Sequence, residues 1–251
     1  MTHTGIAVEG LRHSYGGRPA VDGLSFTVQK GEIVGFLGAN GAGKTTTLRA
    51  IAGTLEPDAG RIQVAGVDTR RDPLAARTKT GYLAEHDGLW DGMSAHAVLC
   101  FHGAVRGLEG AALEQRLAWL TQRLELEPVL GKRVRECSLG FRRRIALAAA
   151  LVHDPEVVLL DEPTHGLDPL QTRAFRRLLL EIAPDKAVLF STHVLQEVEA
   201  VCTRVLVLQA GHLVLDAHLA DLRLQAHAQR CTVEDLVVTA AARQPAQVVA
   251  P

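Results

Sequence analysis

Eight residues constrain this chain more than any others: Gly38-Ala39-Asn40-Gly41-Ala42-Gly43-Lys44-Thr45, set directly after the apolar run 33–37 and before a helical pattern. A glycine, four residues, a second glycine, then Lys and Thr is the pattern of a loop that wraps phosphate. Its glycines let the backbone fold into a nest whose N–H groups point inward, and the helix that follows adds the positive end of its dipole. Lys44 supplies a point charge for β and γ phosphates. The Thr45 hydroxyl suits Mg²⁺, a hard ion that prefers oxygen and bridges the same phosphates. Thr46 is counted with residues 38–45 among the nucleotide contacts. A turn that merely packs helix against strand would account for the glycines, but not for Lys44-Thr45 at this spacing.

A strand, a phosphate loop and a helix call for an α/β domain, and the rest of the chain supplies one. Short β-rich runs punctuated by glycine are expected at 6–8, 25–28, 33–37, 61–64 and 81–84, in a parallel or mixed sheet. From Ser94 to about Val134 the texture becomes Ala, Leu, Glu and Arg, with Leu113, Leu117, Leu120 and Leu124 at helical spacing, so an amphipathic helical subdomain is inserted there. After Phe141 helix and strand alternate: a helix to His153, strand 157–160, a helix from Leu170, strand 187–190, a helix through Cys202, then strand 205–208. That alternation implies βαβ units around a parallel sheet. Gly211 is expected to turn the chain into a last strand, 212–216. The tail from His218 reads as weakly helical and its final ten residues as disordered.

Composition narrows the classes. With 251 residues, 47% apolar and 22% charged, the chain is expected to fold as one soluble α/β domain carrying an insert, and disorder and collagen-like repeats are excluded. A net charge of -1 disfavours a role resting on neutralising a nucleic-acid backbone. Apolar stretches such as 145–152 fall far short of the roughly 18 residues of a spanning helix, and residues 1–9 carry no basic-then-apolar leader. The chain is therefore expected to be neither secreted nor self-inserting. Cys100, Cys137, Cys202 and Cys231 form no close pair, which suits a reducing cytosol and suggests neither disulfides nor a zinc knuckle.

A second site begins where the apolar run 157–160 ends in Asp161-Glu162. Such a run reads as a strand buried on both faces, and ligands of open α/β sheets bind at its C-terminal edge. Asp161 is placed to hold Mg²⁺, and Glu162 to orient and polarise an attacking water. Alone, the pair could be a solvated acidic strand end.

Gly38 to Thr45, Cys137-Ser138-Leu139-Gly140-Phe141, Leu159 to Glu162, Gly166-Leu167-Asp168 and Ser191-Thr192-His193 follow one another in an order that resembles the ATP-binding subunit of ABC transporters. The resemblance covers residues 4 to about 217. It implies a P-loop NTPase core with a mixed or parallel sheet, an N-terminal β-rich subdomain and a helical subdomain inserted over about 90–155, with 218–251 as a tail. It also implies ATP and Mg²⁺ as ligands and a head-to-tail dimer sandwiching two ATP molecules, each between one chain's phosphate loop and the partner's signature motif. Hydrolysis would drive a separately encoded membrane permease, holding the chain at the inner face of the cell membrane.

By the same resemblance, Tyr15 stacks on adenine, His193 contacts the γ phosphate, Asp168 couples the two sites, and Ser138 and Gly140 reach the partner's nucleotide. Tyr15 could also be an ordinary turn aromatic, and His193 could cap a helix over 193–202. Two departures stand out. The signature usually reads Leu-Ser-Gly-Gly-Gln, whereas Cys137, Leu139 and Phe141 replace three of its residues here; Leu139 either is tolerated or obstructs closure. Glu85 stands where most members carry a Gln that touches Mg²⁺, as in a subset of exporter-type subunits; a carboxylate still binds that ion. Glu85 could otherwise be a solvated loop acid.

Arg142-Arg143-Arg144 reads as a solvated edge facing the dimer or the permease. Aromatic residues make up 4% of the chain, too few to interleave with it in a nucleic-acid surface. A homodimer and a heterodimer with a sister subunit are both compatible with the sequence. Rival readings are a soluble ABC-type ATPase, a regulatory half-site with weak hydrolysis, and a P-loop kinase or GTPase. A single phosphate loop and an insert too short for a long coil weigh against the soluble ATPase, the absence of an Asn-Lys-x-Asp motif against a GTPase, and Ser138-x-Gly140 against a kinase; the half-site reading turns on Leu139.

Overall fold

The computed structural model describes residues 4–242; the expectation for the end of the chain lies outside them. Two sheets carry the architecture. One is antiparallel, in the order β2 (Arg18–Gln29), β1 (Thr4–Tyr15), β4 (Ala59–Val64) and β5 (Val67–Asp68). The other has six strands: β10 (His212–His218), β9 (Arg204–Gln209), β3 (Ile33–Leu37), β8 (Ala187–Thr192), β7 (Val157–Asp161) and β6 (Thr80–Leu83). It is parallel except for the β9–β10 hairpin at one edge. The first ninety residues thus divide between the sheets. The two long hairpin strands were legible only in pieces, because Gly10 and Gly23 adopt positive φ and bulges shift the register, breaking the alternation.

Strands β3, β7 and β8 are buried along their whole length, which is why they are continuous Val, Leu, Ile and Phe runs. One core lies between the two sheets and includes α1 (Lys44–Ile51); it holds Ile6, Phe26, Phe36 and Leu48. A second joins the opposite face to α3 (Ala95–Val105), α4 (Gly110–Arg123), α5 (Leu139–Leu151) and α6 (Pro169–Ile182). A short helix, α2 (Pro73–Thr78), precedes β6. In the expected Leu113–Leu124 stripe, Leu117, Leu120 and Leu124 are buried and Leu113 packs against them.

The tail is more ordered than its sequence suggested. Helices α8 (Leu219–Gln229) and α9 (Val233–Ala242) pack through Leu219, Leu222 and Val237 onto β9 and α7 (Leu195–Val201). Among the described residues no helix is long and apolar enough to cross a membrane.

Candidate functional site

Strand order assembles the site. β3, β8 and β7 are adjacent and parallel, with Leu37 opposite Thr192 and Asp161 opposite Ser191. Their C-terminal ends therefore deliver the phosphate loop, Ser191-Thr192-His193 and Asp161-Glu162 to one edge, where such sheets bind ligands.

The loop leads into α1 through Gly43, the N-cap residue, at φ 105. A Cβ at Gly43 would lie 2.5 Å from the Ala20 carbonyl oxygen of β2, whereas one at Gly41, also at positive φ, would meet nothing. Gly41→Ala is therefore expected to cost only the left-handed strain of about 1–2 kcal/mol. Gly43→Ala must also push β2 away. Thermal melting without nucleotide checks this, with the larger loss expected in Gly43→Ala. The contact also locates Tyr15: it pairs with Arg18 at the end of the β1–β2 hairpin, near Ala20, half-exposed and edge-on to His13.

Lys44 is buried, and its Nζ donates to the Gly38 and Ala39 carbonyls at 2.6 and 3.2 Å and lies 3.8 Å from Glu162 Oε1. Burial lowers its pKa, against the opposing charges of Glu162, Asp161 and Glu85. Thr45 and Thr46 are half-buried in the first turn of α1. His193 Nδ1 stands 3.1 Å from both Glu162 oxygens. Helix α7 starts at Leu195 with Val194 as its N-cap, so His193 is not a capping residue.

Asp161 is fully buried, and Ser191 Oγ donates to its Oδ1 at 2.5 Å while Oδ2 is left without a partner. A buried carboxylate oxygen so orphaned is costly unless a cation meets it. Among the described residues no cluster of three or more His, Cys, Asp and Glu forms a protein cage for a metal. One carboxylate oxygen and a hydroxyl fit Mg²⁺, which keeps waters and shares substrate phosphates. Glu85 is exposed, two residues past the end of β6, and its charge is felt at Lys44.

Glu162 follows β7 at φ 46, a left-handed conformation that is strained for a side-chain-bearing residue. Its N–H faces both the carbonyl and the hydroxyl of Ser191 at 3.2 Å. Glu197 of α7, which the sequence did not single out, accepts the Thr192 hydroxyl at 2.6 Å and that of Thr164, bracing the segments that carry His193 and Glu162.

The signature residues open α5. Ser138 is the N-cap of α5, its Oγ accepting the Phe141 N–H at 3.4 Å, and Asp168 caps α6 in a reciprocal box with Gln171. Gly140 is buried, and a Cβ there would collide with the Gln171 side chain. Leu139 is 57% exposed and folds over Gly166, whose hypothetical Cβ would lie 2.5 Å from Leu139 Cδ2.

The arginine run is not a solvated edge. Arg143 and Arg144 are 4% and 6% exposed, and Arg142 is half-buried. Arg142 pairs with Asp87 at 2.8 Å and Asp91 at 2.5 Å; Arg144 donates to the Leu124 carbonyl at 2.8 Å and stacks on Phe141. Their acceptors come from distant loops, which is why adjacency in the chain misled.

Beside the phosphate loop a cleft of about 670 Å³ runs under His193 to α9, lined there by Glu234, Val237, Val238 and Ala241. Neither Ser138 nor Leu139 lines it.

A family model described as "ABC transporter" matches residues 21–165, and one described as "AAA domain, putative AbiEii toxin, Type IV TA system" matches 133–199. The chain is 40% identical over 205 residues to "ABC transporter ATP-binding protein NatA" of Bacillus subtilis (strain 168), covering 81% of this chain and 83% of that protein. It is 36% identical over 234 residues to "Daunorubicin resistance ATP-binding protein DrrA3" of Streptomyces coeruleorubidus, covering 93% and 74%. A solved "Structure of ATP binding subunit of ABC transporter" superposes with a TM-score of 0.86 at 29% identity, covering 94% of this chain and 98% of that one.

Proposed function

This chain belongs to the ABC transporter family as an ATP-binding subunit, and from that premise we propose how its residues perform the work. Subunits of this kind hydrolyse ATP, dimerise and power a separate membrane permease. In our reading the nucleotide-binding domain comprises residues 4–217, with the helical insert over about 90–155, and acts at the cytoplasmic face of an exporter. The drug-resistance relative and Glu85 support the export direction.

One observation carries the assignment of roles: Lys44 and His193 meet on the same carboxylate, that of Glu162, at the sheet edge where the phosphate loop ends. Residues 38–46 cradle the phosphates through backbone N–H groups and the α1 N-terminus, and Lys44 holds the β and γ phosphates. Tyr15 stacks on adenine. Thr45, Asp161 and Glu85 would hold Mg²⁺, which would supply neutralising charge for the phosphates. Glu162 takes the proton of the attacking water, and His193, whose Nδ1 lies 3.1 Å from the Glu162 oxygens, contacts the γ phosphate. Ser138 and Gly140, with the N-terminus of α5, complete the partner's site, and Asp168 links the two.

Leu139 decides between a working and a degenerate signature. Its side chain lies on its own chain over Gly166, which favours tolerance. Leu139→Gly is then expected to leave ATPase activity within a few-fold, and Ser138→Ala to reduce it, because hydroxyl and helix N-terminus do the binding. Steady-state turnover with the cognate permease present checks the pair. A sharp gain from Leu139→Gly with an indifferent Ser138→Ala would mark a degenerate half-site.

A further inference from the structure

Arg143 buries a full positive charge in the middle of the catalytic machinery, without a carboxylate among the described residues within 4 Å to pair with it. All five guanidinium N–H donors go to backbone carbonyls instead. Nη1 donates to Ala84 at 2.5 Å and Glu85 at 2.9 Å; Nη2 donates to Asp161 and, at 2.8 Å, to Glu162; Nε donates to Pro163 at 3.3 Å. Burial pulls the guanidinium pKa below its ordinary value, and the charges of Asp161, Asp87, Glu85 and Glu162 at longer range offset only part of that desolvation. A rigid planar fork can hold five acceptors from two loops at once; the single ammonium of lysine cannot.

Those acceptors are not incidental. They lie on the two loops that carry Glu85 and Glu162, while Arg143 sits in the first turns of α5, whose N-cap is Ser138. The strained φ of Glu162 is thereby held from both sides, its N–H by Ser191 and its carbonyl by Arg143. Strain of that kind persists only where its surroundings over-determine it. Arg142, next in the chain, ties α5 to the same Glu85 loop through Asp87 and Asp91.

We propose that Arg143 is a positioning residue for hydrolysis: it locks the backbone of Glu162 and Glu85 to the signature helix, so that docking of Ser138 on a partner's nucleotide sets the base in its own site. This rests on the reading of Glu162 as base and adds the element through which that base is placed. A group that acts only through the aim of another should affect turnover and not ATP capture.

The test uses the full chain, with Arg143→Lys and Arg143→Met made in the wild type and in Glu162→Gln. Arg143→Lys is expected to lower kcat about 10- to 100-fold, the scale of a misplacement near 1 Å, with Kd for a fluorescent ATP analogue within about threefold of wild type. Arg143→Met should lose at least as much. With Glu162 already Gln, Arg143→Lys should cause no further loss, since the group it aims is gone. Wild-type kcat in Arg143→Lys, a loss carried by Kd, an equal further loss in the Glu162→Gln background, or a lysine variant that does not fold would each overturn the proposal. Full turnover in Glu162→Gln alone would instead remove the assignment of the base.

Discussion

Lys44→Ala is expected to lower ATP turnover by about 10² to 10³ and to weaken nucleotide affinity at least tenfold. A preorganised charge on the transferred phosphoryl group is worth that much in a site from which water is excluded. Lys44 is buried and held by its own loop, so its ammonium is in place before the nucleotide arrives. Alanine also removes the donor to the Gly38 and Ala39 carbonyls and the counter-charge 3.8 Å from Glu162. Lys44→Met keeps the side-chain length but restores neither the donor nor the charge, so its turnover is expected to fall as far as that of Lys44→Ala, with only the packing of the stem retained. Unchanged binding and turnover in both variants would remove the phosphate-loop assignment.

The parts of this site that were legible in the sequence are those whose chemistry is local. A strand, a glycine nest, Lys44 and Thr45 are contiguous, and so are the apolar run of β7 and its two acids. Ser138 and Asp168 entered through the resemblance; that each caps a helix by accepting an N–H three residues on is shown by the structure. What was not legible is made by topology. β8 inserts between β3 and β7, and only that order brings His193 to Glu162, 31 residues away in the chain. Arg143 finds a carbonyl 59 residues away, so a run of three arginines that reads as solvated is drawn inward by loops the spacing does not reveal. Glu197 and Ser191 brace the acids in the same non-local way. The helical reading of the tail from His218 agrees with α8 and α9, whereas the packing of α9 on β9 and α7 through Val233, Leu236 and Val237 is again non-local.

Glu162→Gln is expected to slow hydrolysis by about 10² to 10⁴, the usual worth of a general base, while ATP binding persists. Gln keeps the volume and an oxygen for the His193 contact, so the loss reports the proton acceptor and not the shape of the site. Because hydrolysis is what ends the ATP-bound state, dimers with ATP trapped between two cassettes should accumulate, visible as a doubled mass on size-exclusion chromatography with Mg-ATP.

The most direct measurement is single-turnover phosphate release from ATP prebound to the full chain, begun by adding Mg²⁺ to wild type and to Glu162→Gln in parallel. The account predicts release from wild type and intact bound ATP in the variant, slowed by about 10² to 10⁴; equal release from both would contradict it.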